Sequence, residues 1–272
     1  MRPLIHILDT VYNQPWCILP SKHRAIQAVI EAHLSKKADL DFGDIEPPEK
    51  EPFAVVGKTA VIPIEGVILN KCSGLEAMCG AQSLQDLKAS IGEVSSRPDI
   101  SNVIFNISSG GGTVTGVPEA ADAIAQLGKS KDTYAYTDDC IASAAYWLAS
   151  QTKGIFLSKS AEIGSIGVYL ALIDSSKAMA DDGLKLELFK AGAFKAMGIP
   201  GTTLTDDQRT LLQSSVDKIY GQFTSYVLST RPRVPVSAMQ GQMFDSKDSL
   251  KNGLADGVIN SLDSLVDLLN SR

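Results

Sequence analysis

Short runs of β-branched and apolar residues alternate along most of this chain with stretches whose apolar positions recur every three or four residues. The first kind predicts buried strands: Thr59–Ile64 continuing after a Glu65-Gly66 turn into Val67–Leu69, Asn102–Ile107, Thr133–Thr137, Gly154–Leu157, Tyr169–Ile173 and Lys185–Phe189. The second predicts amphipathic helices. Leu84, Leu87, Ile91 and Val94 mark one, opened by Ser83 and Asp86 as a capping pair, and others follow at 117–127, 142–150 and up to Ala180. Thr205 and Gln208 form a second capping box, opening a long helix with Leu212, Val216, Ile219, Phe223 and Val227 on one face. Pro232 and Pro235 end it, and a short helix over 262–269 closes the chain. Strands and helices alternating at this spacing predict βαβ units, hence an α/β fold with a mainly parallel sheet flanked by helices.

The periodicity changes near the N-terminus. Ile26, Val29, Ile30 and His33 predict a short helix, and the stretch from Lys36 to Pro52, rich in Asp, Glu, Lys and Pro, reads as a solvated linker. The expected organisation is an N-terminal helical appendage with its linker over 1–53 and a main domain over 54–272.

Composition narrows the class of function. With 44% hydrophobic and 21% charged residues in 272, the chain can build a sizeable core. A net charge of −6 leaves no basic stripe for phosphates, so no nucleic-acid partner is expected. No apolar segment approaches the roughly 20 residues that span a bilayer, and the N-terminus lacks the pattern of a secretory signal. Cys17, Cys72, Cys79 and Cys140 are scattered without paired spacing. Reduced thiols in a cytoplasm, and no metal site, are therefore expected.

The candidate chemistry centres on Asp138–Trp147, where small residues crowd a single hydroxyl, Ser143, between a strand and an apolar helix. A strand, a sharp turn and a serine at a helix start expose a nucleophile, and the same residues also suit a helix N-cap with close packing. His6, His23 and His33 all precede the α/β region, so a Ser-His-Asp triad within that region is excluded. If Ser143 is a nucleophile, a lysine is the best remaining option for its base, and it works only when burial pulls its pKa down. Lys195 has Ala191, Gly192, Ala193, Phe194, Ala196, Met197 and Ile199 around it and no nearby carboxylate. That neighbourhood predicts a desolvated ammonium, while a snorkelling surface lysine is the other reading. Gly110-Gly111-Gly112, between strand and helix, presents backbone N–H groups as an oxyanion hole would, or forms a tight glycine turn.

Taken in order, TAVIPIEGVI, SSGGGTV, ASAAYW, GSIGV, KAGAFKAMG and GLADGVI resemble the signal peptide peptidase A family of serine peptidases over 59–259. The resemblance implies a Clp/crotonase-like fold and a Ser-Lys dyad, with Ser143 as nucleophile and Lys195, 52 residues on (195 − 143), as general base. It implies oxyanion N–H groups from Gly112 and Ala144, and supporting roles for Ser165 and Gly111. Where the family has proline and paired glycines, this chain has Gly110, Ala144 and Ala145, whose methyl groups are expected to narrow the site. A polypeptide substrate and a homo-oligomeric ring with composite sites are also implied. The leader from Leu8 to Leu34 resembles that of phage head-maturation proteases, which points to scaffold and capsid proteins as partners. The C-terminal scaffold domain that some of them carry is not expected here. The other readings are a soluble bacterial signal-peptide or fragment peptidase, a non-catalytic scaffold module, and a crotonase-type acyl-CoA enzyme in which a Ser-Lys pair has no role.

Overall fold

A computed structural model describes residues 11, 14–35, 51–72, 76–77 and 80–271. The expected linker over 36–52 and the cysteine at 79 fall largely or wholly outside the described residues. Eleven strands lie within it: β1 (Trp16–Ile18), β2 (Ala54–Val56), β3 (Thr59–Leu69), β4 (Gln82–Ser83), β5 (Asn102–Thr113), β6 (Asp132–Thr137), β7 (Cys140–Ala142), β8 (Gly154–Leu157), β9 (Glu162–Gly164), β10 (Met243–Phe244) and β11 (Gly257–Val258). The helices are α1 (Pro20–Ser35), α2 (Leu84–Ser96), α3 (Val117–Leu127), α4 (Ala144–Ser150), α5 (Ser176–Asp181), α6 (Asp206–Thr230), α7 (Ser246–Lys251) and α8 (Leu262–Asn270).

The α/β expectation holds. β3, β5, β6, β8 and β11 run parallel in that order, as do β5, β7 and β9, while β1, β2 and β10 pair antiparallel at the margins. Strand β5 belongs to both parallel sets. Its first half pairs with β6 through Asn106, and at Ser109 the pairing passes to β7. A crevice opens outside the strand ends where neighbours diverge in this way, the place where open α/β sheets take ligands.

Helices α2, α3 and α4 cover one face. Their buried positions, among them Leu84, Leu87, Val94, Val117, Ile124 and Trp147, join Ile62, Ile64, Val103 and Phe105 in the main core. Ser83 caps α2 by accepting the Asp86 N–H at 3.3 Å. In α6 the anticipated stripe is unevenly used: Phe223 and Val227 are fully buried, whereas Leu212, Val216 and Ile219 are half-covered.

Several elements differ from the sequence reading. Gly66 is a bulge rather than a turn, because β3 continues past it with a register shift between Glu65 and Val67. Its φ of 74° and the Gly80 carbonyl oxygen, 1.9 Å from where a Cβ would stand, require glycine there. The glycine triplet also lies within β5 instead of forming a turn, with Gly111 at a φ of 100° that favours glycine. The strands predicted at Tyr169–Ile173 and Lys185–Phe189 do not form; Tyr169 makes a single bridge to Trp16, and 184–190 is irregular and exposed. A strand needs a neighbour for its N–H and C=O groups, and this segment has none among the described residues. The N-terminal stretch, read as an appendage, contributes β1 to the edge of β5.

Candidate active site

Ser143 stands at the crevice, directly after β7 and before α4. Its N–H donates to the Gly164 carbonyl at 2.8 Å, and its own carbonyl accepts the Trp147 N–H at 3.0 Å, the first bond of the helix. Held from both sides, its backbone adopts φ 55° and ψ −118°. A left-handed φ on a side-chain-bearing residue costs on the order of 1–3 kcal/mol and persists only where surroundings enforce it. The hydroxyl is buried and donates to the Gly167 carbonyl at a long 3.4 Å, while Ser143 stands near enough to the Cys17 thiol to oppose the upward push of burial on its pKa.

The helix behind it is firmly anchored. Tyr146 donates its hydroxyl to the Leu254 carbonyl at 2.9 Å, and Trp147 stacks on Phe223 of α6, ring centroids 4.6 Å apart. Ala144 and Ala145 are fully buried members of the main core, so their methyl groups pack inward instead of narrowing the crevice. The Ala144 N–H belongs to the first turn of α4 and has no intrahelical acceptor.

Gly111 and Gly112 run alongside. A Cβ on Gly112 would lie 1.8 Å from the Ile68 carbonyl oxygen, and one on Gly111 would lie 2.2 Å from that of Cys17 and 3.0 Å from Cβ of Ser143. Close passage of neighbouring backbones thus demands glycine at both. The Gly111 N–H is taken by Ser109 Oγ at 3.1 Å. Ser165, also buried with a left-handed φ of 51°, donates its N–H to the Gln242 carbonyl at 2.6 Å, and its hydroxyl has no hydrogen-bond partner among the described residues.

Lys195 is placed otherwise than its sequence neighbours suggest. It is exposed, and its ammonium has neither a hydrogen-bond nor an ion-pair partner among the described residues. The apolar residues around it are themselves open to solvent, with Phe189 94% and Phe194 45% exposed, so within one chain they do not desolvate it. The structure brings Ser143, Gly111, Gly112 and the 164–167 loop together; it does not bring Lys195 into hydrogen-bond contact with Ser143.

The positioning roles of two residues escaped the sequence reading. Gln208 completes the capping box at Thr205 and also donates from Nε2 to the Ala193 carbonyl at 3.1 Å, tying the Lys195 loop to the start of α6. Asp256, inside the GLADGVI motif, accepts from the buried Arg231 Nη1 at 2.7 Å and from the Ile155 N–H at 2.8 Å. A capping box signals only a helix start, and nothing local to Asp256 points to residue 231.

Among the described residues no three His, Cys, Asp or Glu side chains cluster as a metal site requires, and no helix is long and apolar enough to cross a membrane.

The model of peptidase family S49 matches residues 125–271. Capsid assembly protease C of Escherichia phage lambda is 25% identical over 297 aligned positions, covering 100% of this chain and 67% of the relative. Head-tail preconnector protein GP5 of Enterobacteria phage P21 is 27% identical over 286, covering 97% and 57%. A putative signal peptide peptidase SppA of Enterococcus faecium is 26% identical over 181, covering 64% and 52%. The chain therefore spans between about half and two thirds of these relatives' lengths. Among solved structures, an enoyl-CoA hydratase/carnithine racemase from Magnetospirillum magneticum aligns with a TM-score of 0.47 and 11% identity, covering 81% of this chain and 72% of its own.

Proposed function

The chain belongs to peptidase family S49, and on that premise we propose that it is a serine endopeptidase in which Ser143 attacks the peptide carbonyl and Lys195 serves as general base. The observation that carries this reading is the enforced left-handed backbone of Ser143 at the strand-to-helix junction, beside two glycines that crowding backbones and, at Gly111, a φ of 100° require. Strain of this kind concentrates where a side chain is held for chemistry.

In the proposed reaction Lys195 takes the Ser143 proton as Oγ bonds to the substrate carbonyl carbon. The N–H groups of Gly112 and Ala144 stabilise the oxyanion, with Gly111 and Ser165 as supports. Lys195 then protonates the leaving amine, and water, giving its proton to the same lysine, hydrolyses the acyl-enzyme. No cofactor takes part in these steps.

The exposed position of Lys195 fits a site completed on assembly. Leu184, Leu186 and Leu188 alternate with polar residues as in a half-buried strand, yet all three are exposed along with Phe189 and Ile173. A segment patterned for pairing but left without a partner is suited to a second copy of the chain. In the proposed ring, a neighbouring copy covers this segment, dries Lys195 and sets it against a Ser143.

Polypeptides of an assembling phage head, its scaffold and capsid proteins, are the proposed substrates and partners, met in the host cytoplasm or inside the head. The two phage relatives match 100% and 97% of the chain, N-terminal stretch included, against 64% for the signal peptide peptidase. That difference favours the phage role over a bacterial one.

The test is cleavage of an unstructured protein by the native chain, by Ser143→Ala, by Lys195→Ala and by Lys195→Arg, whose guanidinium stays protonated. All three variants are expected to be folded and inactive. Mixing Ser143→Ala with Lys195→Ala is expected to restore about a quarter of native activity, the share of randomly mixed head-to-tail contacts that unite an intact serine with an intact lysine. A folded Ser143→Ala chain with native activity removes the assignment.

A further inference from the structure

β1 lies along the catalytic crevice in a manner that its role as an edge strand does not require. On one side it runs antiparallel to the glycine strand, with Trp16 opposite Thr113, Cys17 opposite Gly112 and Ile18 opposite Gly111. On the other side Trp16 exchanges both backbone hydrogen bonds with Tyr169, at 2.9 and 3.1 Å. Three residues thus bridge the gap between the glycine strand and the chain that follows the 164–167 loop.

The register is specific. The Leu19 N–H donates to the Gly110 carbonyl at 2.8 Å, so by the alternation of an antiparallel ladder the next hydrogen-bonded pair is Cys17 with Gly112. The Gly112 N–H, assigned above to the oxyanion, is thereby directed at the carbonyl oxygen of Cys17. The Cys17 side chain is fully buried, and Cys17 and Ser143 flank the same glycine: a Cβ on Gly111 would lie 2.2 Å from the Cys17 carbonyl oxygen and 3.0 Å from the Ser143 Cβ. A backbone carbonyl on the oxyanion donor and a small side chain against the nucleophile are what an extended substrate would present.

A clamp holds the segment in place. Trp16 Nε1 donates to the Val11 carbonyl at 3.3 Å, and His23 of α1 contacts the same oxygen through Nε2 at 3.0 Å. A carbonyl only accepts, so Nε2 carries a hydrogen, and in that tautomer Nδ1 accepts from the Tyr169 hydroxyl at 2.7 Å. Trp16 and His23 pack ring against ring with centroids 4.9 Å apart.

We propose that Trp16–Ile18 is a resident occupant of the peptide-binding groove, docked as an added strand in substrate register, which external polypeptide must displace. The inference rests on the peptidase reading for the roles of Ser143 and Gly112. It also defines the class of segment the groove takes: extended, with a small uncharged side chain facing Ser143 and a large apolar one beside it. Main-chain pairing supplies affinity in such strand addition, and the alternate side chains supply choice.

Two measurements that involve no turnover decide it. In a Ser143→Cys chain treated with diamide, peptide mapping is expected to find Cys17 joined by a disulfide to the thiol introduced at position 143 in most molecules. No cross-link, with Cys17 alkylated as fast as in unfolded chain, overturns the proposal. In Cys17→Asp a carboxylate is forced into a fully buried position, and the strand is expected to leave. A fluorescent peptide copying residues 14–19 should then bind the folded variant about tenfold more tightly than the native chain, whose groove is filled by a tethered competitor. Equal affinity for the two chains also overturns it. Native activity in Ser143→Ala would sink the peptidase assignment instead, while the cross-link and the binding ratio still decide whether the groove is occupied.

Discussion

Trp147 and Phe223 lie face to face, ring planes 9° apart and centroids 4.6 Å apart, and join the helix behind Ser143 to the long helix α6. Both side chains are fully buried. Replacing Phe223 by alanine leaves a ring-sized void under Trp147 and should cost about 3–4 kcal/mol. Urea unfolding followed by tryptophan fluorescence measures the loss. Because α4 carries Ser143, turnover at a temperature where the variant is still folded should fall as well.

The left-handed backbone at Ser143 allows a comparison independent of chemistry. Alanine keeps the conformational strain and glycine relieves it, so Ser143→Gly should be about 1 kcal/mol more stable than Ser143→Ala. Denaturant midpoints of the two inactive chains check this. Equal midpoints would mean that the backbone at 143 is unstrained.

Arg231 is nearly inaccessible, and Asp256 neutralises it from a partly exposed position. Asp256→Ala leaves a buried cation unpaired and is expected to cost about 3 kcal/mol. Adding Arg231→Leu should return most of that loss, since an apolar side chain needs no counter-charge. The measurement is a double-mutant cycle on unfolding free energy.

Alkaline pH should weaken the fold through its thiols. Burial pushes Cys17 and Cys72 up to about 12 from the usual 9.0, and burial together with Asp139 pushes Cys140 up to about 11. Above pH 9 the unfolded chain sheds these protons while the folded chain retains them, so unfolding releases protons and stability falls with rising pH. The contribution is complete below pH 9 and is lost progressively toward pH 11–12. Thermal melts across this range should show the decline, and Cys17→Ala should make it shallower.

Much of the scaffold was legible in the sequence because its strands and helices bury continuous faces. Asn102–Ile107 and the Leu84–Val94 stripe state their own structure through periodicity. β1 was not legible: three residues show no period, and their partners on β5 lie some 95 positions away (112 − 17). Lys185–Phe189 shows the opposite failure, having a strand's pattern with no strand beside it among the described residues. The tight junction at Ser143 was legible because small residues and a following apolar helix announce it. The sequence left the setting of Lys195 open between a desolvated ammonium and a surface lysine, because burial depends on what packs over a loop, and apolar neighbours in sequence do not supply that cover.

The exposed run from Leu184 to Phe194 makes concentration itself a control. If the base reaches the serine only when copies meet, catalytic output per molecule rises with the number of molecules in a given volume, by mass action. A dilute pool would be nearly silent, and the same molecules gathered into a small space would ignite together. Dilution would then extinguish them without an inhibitor or any chemical modification.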